Sequence, residues 1–142
     1  MHRLIRLGTF TATNTSVIIA DRGGKMASIT KEMVFAAYSL GKEVCFGKLN
    51  FSDGTKQLTK NTGMNHSSSQ NYIYVLRSML SGRCYTRTIN EFATDYFLCN
   101  IGLEFGAERQ QNAAKATLQH VEYYKEIRSY LKGIKLIAMK YL

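Results

Sequence analysis

The chain has 142 residues, 45% of them apolar, no proline and a net charge of +9. That much apolar material in so short a chain excludes wholesale disorder and gives one domain with a real core. No apolar run approaches the roughly 20 residues of a membrane helix, and the three cysteines, Cys45, Cys84 and Cys99, form no CxxC pair. The first fact excludes a membrane span, the second a disulfide scaffold or zinc site, and free thiols fit a reducing, cytoplasmic setting.

Residues 1–25 differ in character from the remainder of the chain. Thr9-Phe10-Thr11-Ala12-Thr13 alternates like a strand, Val17-Ile18-Ile19 is β-branched, and Gly23-Gly24 breaks the chain. Thr and Asn interrupt every apolar stretch, which rules out a signal peptide. Met26 reads as a natural start, so residues 1–25 are expected to be a loose basic arm or to lie outside the natural product. Residues 26–142 form the helical domain.

From Ser28 onward a helical period takes over. Ile29, Met33, Ala37, Leu40 and Val44 make the first stripe, with Ser28 or Thr30 as N-cap and Gly47 as the stop. Phe51-Ser52-Asp53 opens a short second helix, with Ser52 as cap, Leu58 facing inward and Gly63 ending it. Tyr72, Val75, Leu76, Met79 and Leu80 form the stripe of a third helix, which starts in the polar run Asn65–Asn71 and ends at Gly82. Residues 83–90 are a connector. A fourth helix begins at Thr88 or Asn90, buries Ile89, Ala93, Tyr96, Phe97 and Ile101, and ends at Gly106. A fifth runs from Ala107 towards Leu131 on Ala114, Leu118, Val121, Tyr124, Ile127 and Leu131, and Gly133 sets off a last apolar piece, Ile134 to Leu142. The expected fold is all-α, a compact bundle of about five helices.

Charge is segregated along this order. Residues 48–87 carry Lys48, Lys56, Lys60, Arg77, Arg83 and Arg87 against Asp53 alone, whereas residues 88–126 are net acidic. One basic face beside an acidic body suits a polyanion, and double-stranded DNA is the expected partner. The second helix, Gly63 and the third helix have the proportions of a helix-turn-helix, with Gly63 supplying a positive φ and Met64 plugging the gap. His66, Ser67, Gln70, Asn71, Tyr74 and Arg77 then point outward from the third helix, where Asn and Gln match adenine and Arg matches guanine. Lys56, Lys60, Arg83, Tyr85 and Arg87 are the expected backbone contacts, Tyr85 alternating with two arginines on an extended connector. The competing reading packs Tyr85 into the core and pairs Arg87 with an acid such as Glu91. Ser69 departs from the motif, which prefers a branched apolar residue six places after the turn glycine.

The segment from Tyr38 to Tyr124 resembles the helical N-terminal domain of bacterial HNH-type, restriction-like endonucleases. The resemblance rests on Gly63-Met64-Asn65, Ser68, Tyr72-Ile73, Gly82, Tyr85, Arg87-Thr88, Asn90, Ala93-Thr94, Tyr96-Phe97, Gly106 and His120-Val121-Glu122-Tyr123-Tyr124. It implies a module that targets a nuclease to DNA, in a restriction-modification system, and it carries over no catalytic residue. The nuclease half is not in the sequence. The expectation is therefore a piece of a longer protein, or a module acting alone or beside an HNH-type nuclease partner, with transcriptional control as the other DNA-binding role.

Nothing in the chain reads as an enzyme. His2, His66 and His120 fall in different elements, Glu91, Asp95 and Glu104 read as a solvated helix face, and there is no P-loop or Ser/His/Asp order. No metal, cofactor or membrane partner is expected. The alternative function is a helical protein–protein interaction or homodimerisation module, using the fifth helix with Tyr96-Phe97 and Tyr123-Tyr124.

Overall fold

The computed structural model describes residues 28–127 and 131–142. The arm at residues 1–25 and its strand-like pattern lie outside the described residues. The described chain is all-α, with helices α1 (Lys31–Cys45), α2 (Phe51–Thr62), α3 (His66–Ser81), α4 (Glu91–Phe105), α5 (Ala107–Ile127) and α6 (Lys132–Met139). The described residues thus form six helices, in keeping with the expected all-α bundle of about five. Gly133 does not set α6 apart but sits inside its first turn, where the absence of a side chain leaves room for the Glu91 carboxylate.

Capping residues define the starts. Thr30 caps α1, its hydroxyl accepting from the Met33 amide at 3.1 Å, while Met33 Sδ accepts in return from Thr30 N. Asn50, Asn65 and Asn90 cap α2, α3 and α4, each accepting the amide three residues on: Asp53, Ser68 and Ala93. The expected cap at Ser52 is therefore displaced. Asn50 satisfies the Asp53 amide from outside the helix, which lets α2 begin at Phe51 and leaves Ser52 exposed in its first turn.

α1 packs on α2, α3 and α4, α3 also packs on α5, and α6 lies against α4 and α5. At the α1–α3 contact, a Cβ built on Gly41 would stand 2.7 Å from Leu76 Cδ2, so the small residue sets how closely these helices approach. Val34, Leu58, Met64, Ile73, Val75, Leu76, Met79, Phe97, Leu98 and Ile101 are fully buried and, with Ala113 and Ala114 of α5, form one core, against which half-buried Ile137 of α6 also packs. Burying such side chains is worth roughly 1.5–3 kcal/mol each relative to leaving them in water. Half-buried Glu104 accepts from Tyr38 Oη and Lys42 Nζ, both at 2.9 Å, and links α4 to α1. Asp95 receives Tyr141 Oη and, at 3.2 Å, Lys140 Nζ, so the segment after α6 is fastened to α4.

Candidate nucleic-acid interface

Gly63, Met64 and Asn65 alone separate α2 from α3. Gly63 adopts φ +83°, a left-handed conformation that glycine enters without strain, and its amide closes on the Thr59 carbonyl. Thr62 Oγ1 donates to the Leu58 carbonyl at 2.7 Å and accepts from the Met64 amide at 3.1 Å. This holds the fully buried Met64 between the helices, as its position in the sequence suggested. Ser69 is also fully buried, and Thr59 Oγ1 lies 2.9 Å from Ser69 Oγ. At the point where the motif normally places a branched apolar side chain, a satisfied hydroxyl pair joins α2 to α3 instead.

The first turns of α3 stand outside the core. His66, Ser67 and Gln70 are exposed and Asn71 is half-buried, while Ser69, Tyr72 and Ile73 face inward. Arg77, two turns further along the same outward strip, is exposed and lies over the Phe51 ring at 5.0 Å to the centroid. Its charge also reaches Cys45, opposing the burial that pushes that thiol up to about 11. Tyr74 differs from the other residues expected to read bases. It is half-buried, and its hydroxyl accepts from the Thr86 amide at 3.3 Å.

That bond belongs to a feature the sequence did not reveal: the connector doubles back along α3. Gly82 ends α3 in the left-handed region, with its amide on the Met79 carbonyl, and the Arg83 amide returns to the Ser78 carbonyl. The chain then runs back beside the helix, held by the Tyr74 hydroxyl at Thr86 and the Tyr72 hydroxyl at the Asn90 amide, 3.3 Å away. Burial pushes the Tyr72 phenol up to about 12, with the Asn90 amide acting against the shift. Arg83 and Arg87 are exposed on this returning strip, and the chain bends at Arg87. Arg87 therefore lies between the two points at which the connector is tied to α3.

Tyr85 corrects the sequence reading. It is 1% exposed and touches no solvent route to a phosphate. Its hydroxyl donates to Thr117 Oγ1 at 2.9 Å, and its ring stacks on His120 with centroids 4.6 Å apart. Burial drives its phenol far above the ordinary value. The connector has no paired strand to enforce alternation, so the aromatic ring turns inward while Arg83 and Arg87 stay in water. His120 is buried, with Nδ1 2.7 Å from the Tyr85 carbonyl and Nε2 2.9 Å from Thr88 Oγ1.

Lys56 and Lys60 are exposed on α2, Lys60 in its last turn next to the start of α3. None of Lys56, Lys60, Arg77, Arg83 and Arg87 is ion-paired with a described residue, whereas Lys42, Lys125 and Lys140 are paired with Glu104, Glu122 and Asp95. The cations around α3 thus keep their charge available to an outside anion. Among the described residues no cluster of three or more His, Cys, Asp or Glu side chains could hold a metal ion, and no helix is long and apolar enough to cross a membrane. Of the aromatic pairs expected at a protein interface, Tyr96 and Phe97 are buried in the core, where their rings meet Phe35 and Tyr38. Tyr123 is exposed. Comparison of the chain with protein-family models, with curated proteins and with solved structures gave no match.

Proposed function

We propose that this chain is a DNA-binding module in which α2 and α3 act as a helix-turn-helix. In this reading α3 enters the major groove, with His66, Ser67, Gln70 and Asn71 reading base edges and Arg77 at the groove wall. Lys56 and Lys60 from one side, and Arg83 and Arg87 from the other, grip the phosphates. Tyr85 takes no part in contact, and Tyr74 serves the connector. The carrying observation is that the exposed polar start of α3 is accompanied by five exposed cations, unpaired among the described residues, on α3 itself and on the two elements held against it, α2 and the connector. Delivery of an HNH-type nuclease in a restriction system is the setting proposed from the resemblance in residues 38–124; it rests on those sequence motifs alone.

The test is equilibrium binding of a fluorescent random-sequence duplex pool across salt concentrations. Five neutralised phosphates give a slope of about −4.5 in log affinity against log salt, or roughly a 500-fold loss between 50 and 200 mM. Changing both Arg83 and Arg87 to Ala should make that slope shallower by about 1.8. Absence of duplex binding at about 50 mM salt would overturn the proposal and favour a protein-interaction module.

A further inference from the structure

His120 is the one imidazole buried in the described chain, and it lies on α5, a helix that supplies none of the residues proposed to touch DNA. Both of its ring nitrogens are used, and both on the connector: Nδ1 at the Tyr85 carbonyl, 2.7 Å, and Nε2 at Thr88 Oγ1, 2.9 Å. A carbonyl oxygen can only accept, so Nδ1 carries the hydrogen and the neutral ring accepts from the Thr88 hydroxyl at Nε2. Burial favours this neutral form by lowering the imidazole pKa from its ordinary value. The ring face is also used, stacked on Tyr85 and tilted against Tyr124 at 5.6 Å between centroids.

The two residues held by His120 bracket Thr86 and Arg87. On the opposite side Thr86 and Asn90 are held by the hydroxyls of Tyr74 and Tyr72. The connector is therefore clasped between α3 and α5 at four successive points, Tyr85, Thr86, Thr88 and Asn90. In that stretch Arg87 is the charged side chain, and it is exposed.

We infer that His120 is a positioning residue of the DNA-binding face: it holds the connector backbone so that Arg87 is presented beside the outward strip of α3 before DNA arrives. This rests on the DNA-binding reading above. An arginine on a free loop must have its backbone ordered at the moment of binding, and the clasp removes that cost in advance.

The experiment compares the wild-type chain with His120→Phe, which keeps a ring over Tyr85 and removes both hydrogen bonds. Thr88→Ala, at an exposed residue, removes one bond with little risk to folding. In both variants the Thr86 and Asn90 amides should exchange with solvent about tenfold faster, while the fully buried positions of α3 keep their protection. Affinity for a duplex should fall about five- to tenfold and the salt slope should become shallower by about one phosphate. The deciding readout is a double-mutant cycle: Arg87→Ala should weaken binding about tenfold in the wild type but less than about twofold in the clasp variants. A merely structural role would lower stability and leave the Arg87 effect undiminished, and that result overturns the inference. Unchanged exchange at Thr86 and Asn90 overturns it too. If wild type fails to bind any duplex, the DNA reading falls by itself, while the exchange data still decide whether the clasp exists.

Discussion

Replacing Tyr85 by Phe separates a core role from a DNA-contacting one. Tyr85 is 1% exposed, and its hydroxyl donates to Thr117 Oγ1 at 2.9 Å. Thr117 Oγ1 spends its own hydrogen on the Ala113 carbonyl at 3.0 Å, so its oxygen is purely an acceptor towards Tyr85. Tyr85→Phe deletes one neutral hydrogen bond, strands a lone pair but no donor, and keeps the ring stacked on His120. The expected cost is about 1 kcal/mol, or roughly 3–6 °C in Tm for a chain of this size. Tyr85→Ala removes the ring as well and should cost about 3–5 kcal/mol. Urea unfolding followed by circular dichroism near neutral pH should show a lower midpoint for Tyr85→Phe with an unchanged slope. Duplex affinity and its salt dependence should stay within about twofold of wild type. A loss of DNA affinity of about tenfold with an unmoved urea midpoint would place the phenol on the outer face and refute this reasoning.

Ser69→Ala removes the partner of the Thr59 hydroxyl at the α2–α3 contact and should cost about 1 kcal/mol; the Thr59→Ala, Ser69→Ala double variant should cost clearly less than the sum of the singles, as read by urea midpoints. Gly63→Ala meets no neighbouring atom within 4 Å, so only its φ of +83° is penalised, and the expected loss is about 1–2 kcal/mol, smaller for Gly63→Asn. His120 is neutral in the fold because burial lowers its pKa from 6.5, so the unfolded chain binds the extra proton. Its contribution to stability is therefore complete above about pH 6.5 and declines as pH falls from there towards the lowered folded value; His120→Phe should lack that decline in a series of urea midpoints. Gln70→Ala and Asn71→Ala should change which duplexes are selected from a random pool while leaving the salt slope unaltered, whereas Lys60→Ala should weaken all duplexes alike and make the slope shallower by about 0.9.

The helices were legible because their ends are marked by residues with local reasons to be there. Gly63 and Gly82 take positive φ at the ends of α2 and α3, and Asn65 and Asn90 accept the amides that begin α3 and α4. Where two good caps stand close together the sequence misleads: Asn50 and Ser52 are both competent, and only the bond to the Asp53 amide selects Asn50. The outward set His66, Ser67, Gln70 and Arg77 was legible from the period of α3, since it is what remains once the apolar stripe is buried. The connector was not. Its position depends on bonds across 32 to 35 residues, from Tyr85 to Thr117 and His120 and from Thr88 to His120, which no local pattern encodes. Two-residue alternation has predictive force only on a paired strand, and residues 83–90 have no such partner. The rings of Tyr72 and Tyr74 suggest a core residue and a contact residue, yet it is their hydroxyls that orient the returning chain.

Short side chains impose a further condition on the proposed interface. Ser67 and Asn71 extend only a few ångströms from the helix, so they can read base edges only if α3 lies deep in the groove, and a shift of about one ångström would break every such bond. Depth is set by the phosphate contacts on either side, here Lys56 and Lys60 on α2 and Arg83 and Arg87 on the connector. Both supports must therefore be rigid relative to α3. α2 is fixed to it by Met64 and the Thr59–Ser69 pair, and the connector by the Tyr72 and Tyr74 hydroxyls together with His120. Directed hydrogen bonds thus stand where the two flanks meet α3, at Thr59–Ser69 on one side and at Tyr72 and Tyr74, backed by His120, on the other, and apolar packing, which tolerates sliding better than a directed hydrogen bond does, fills the space behind.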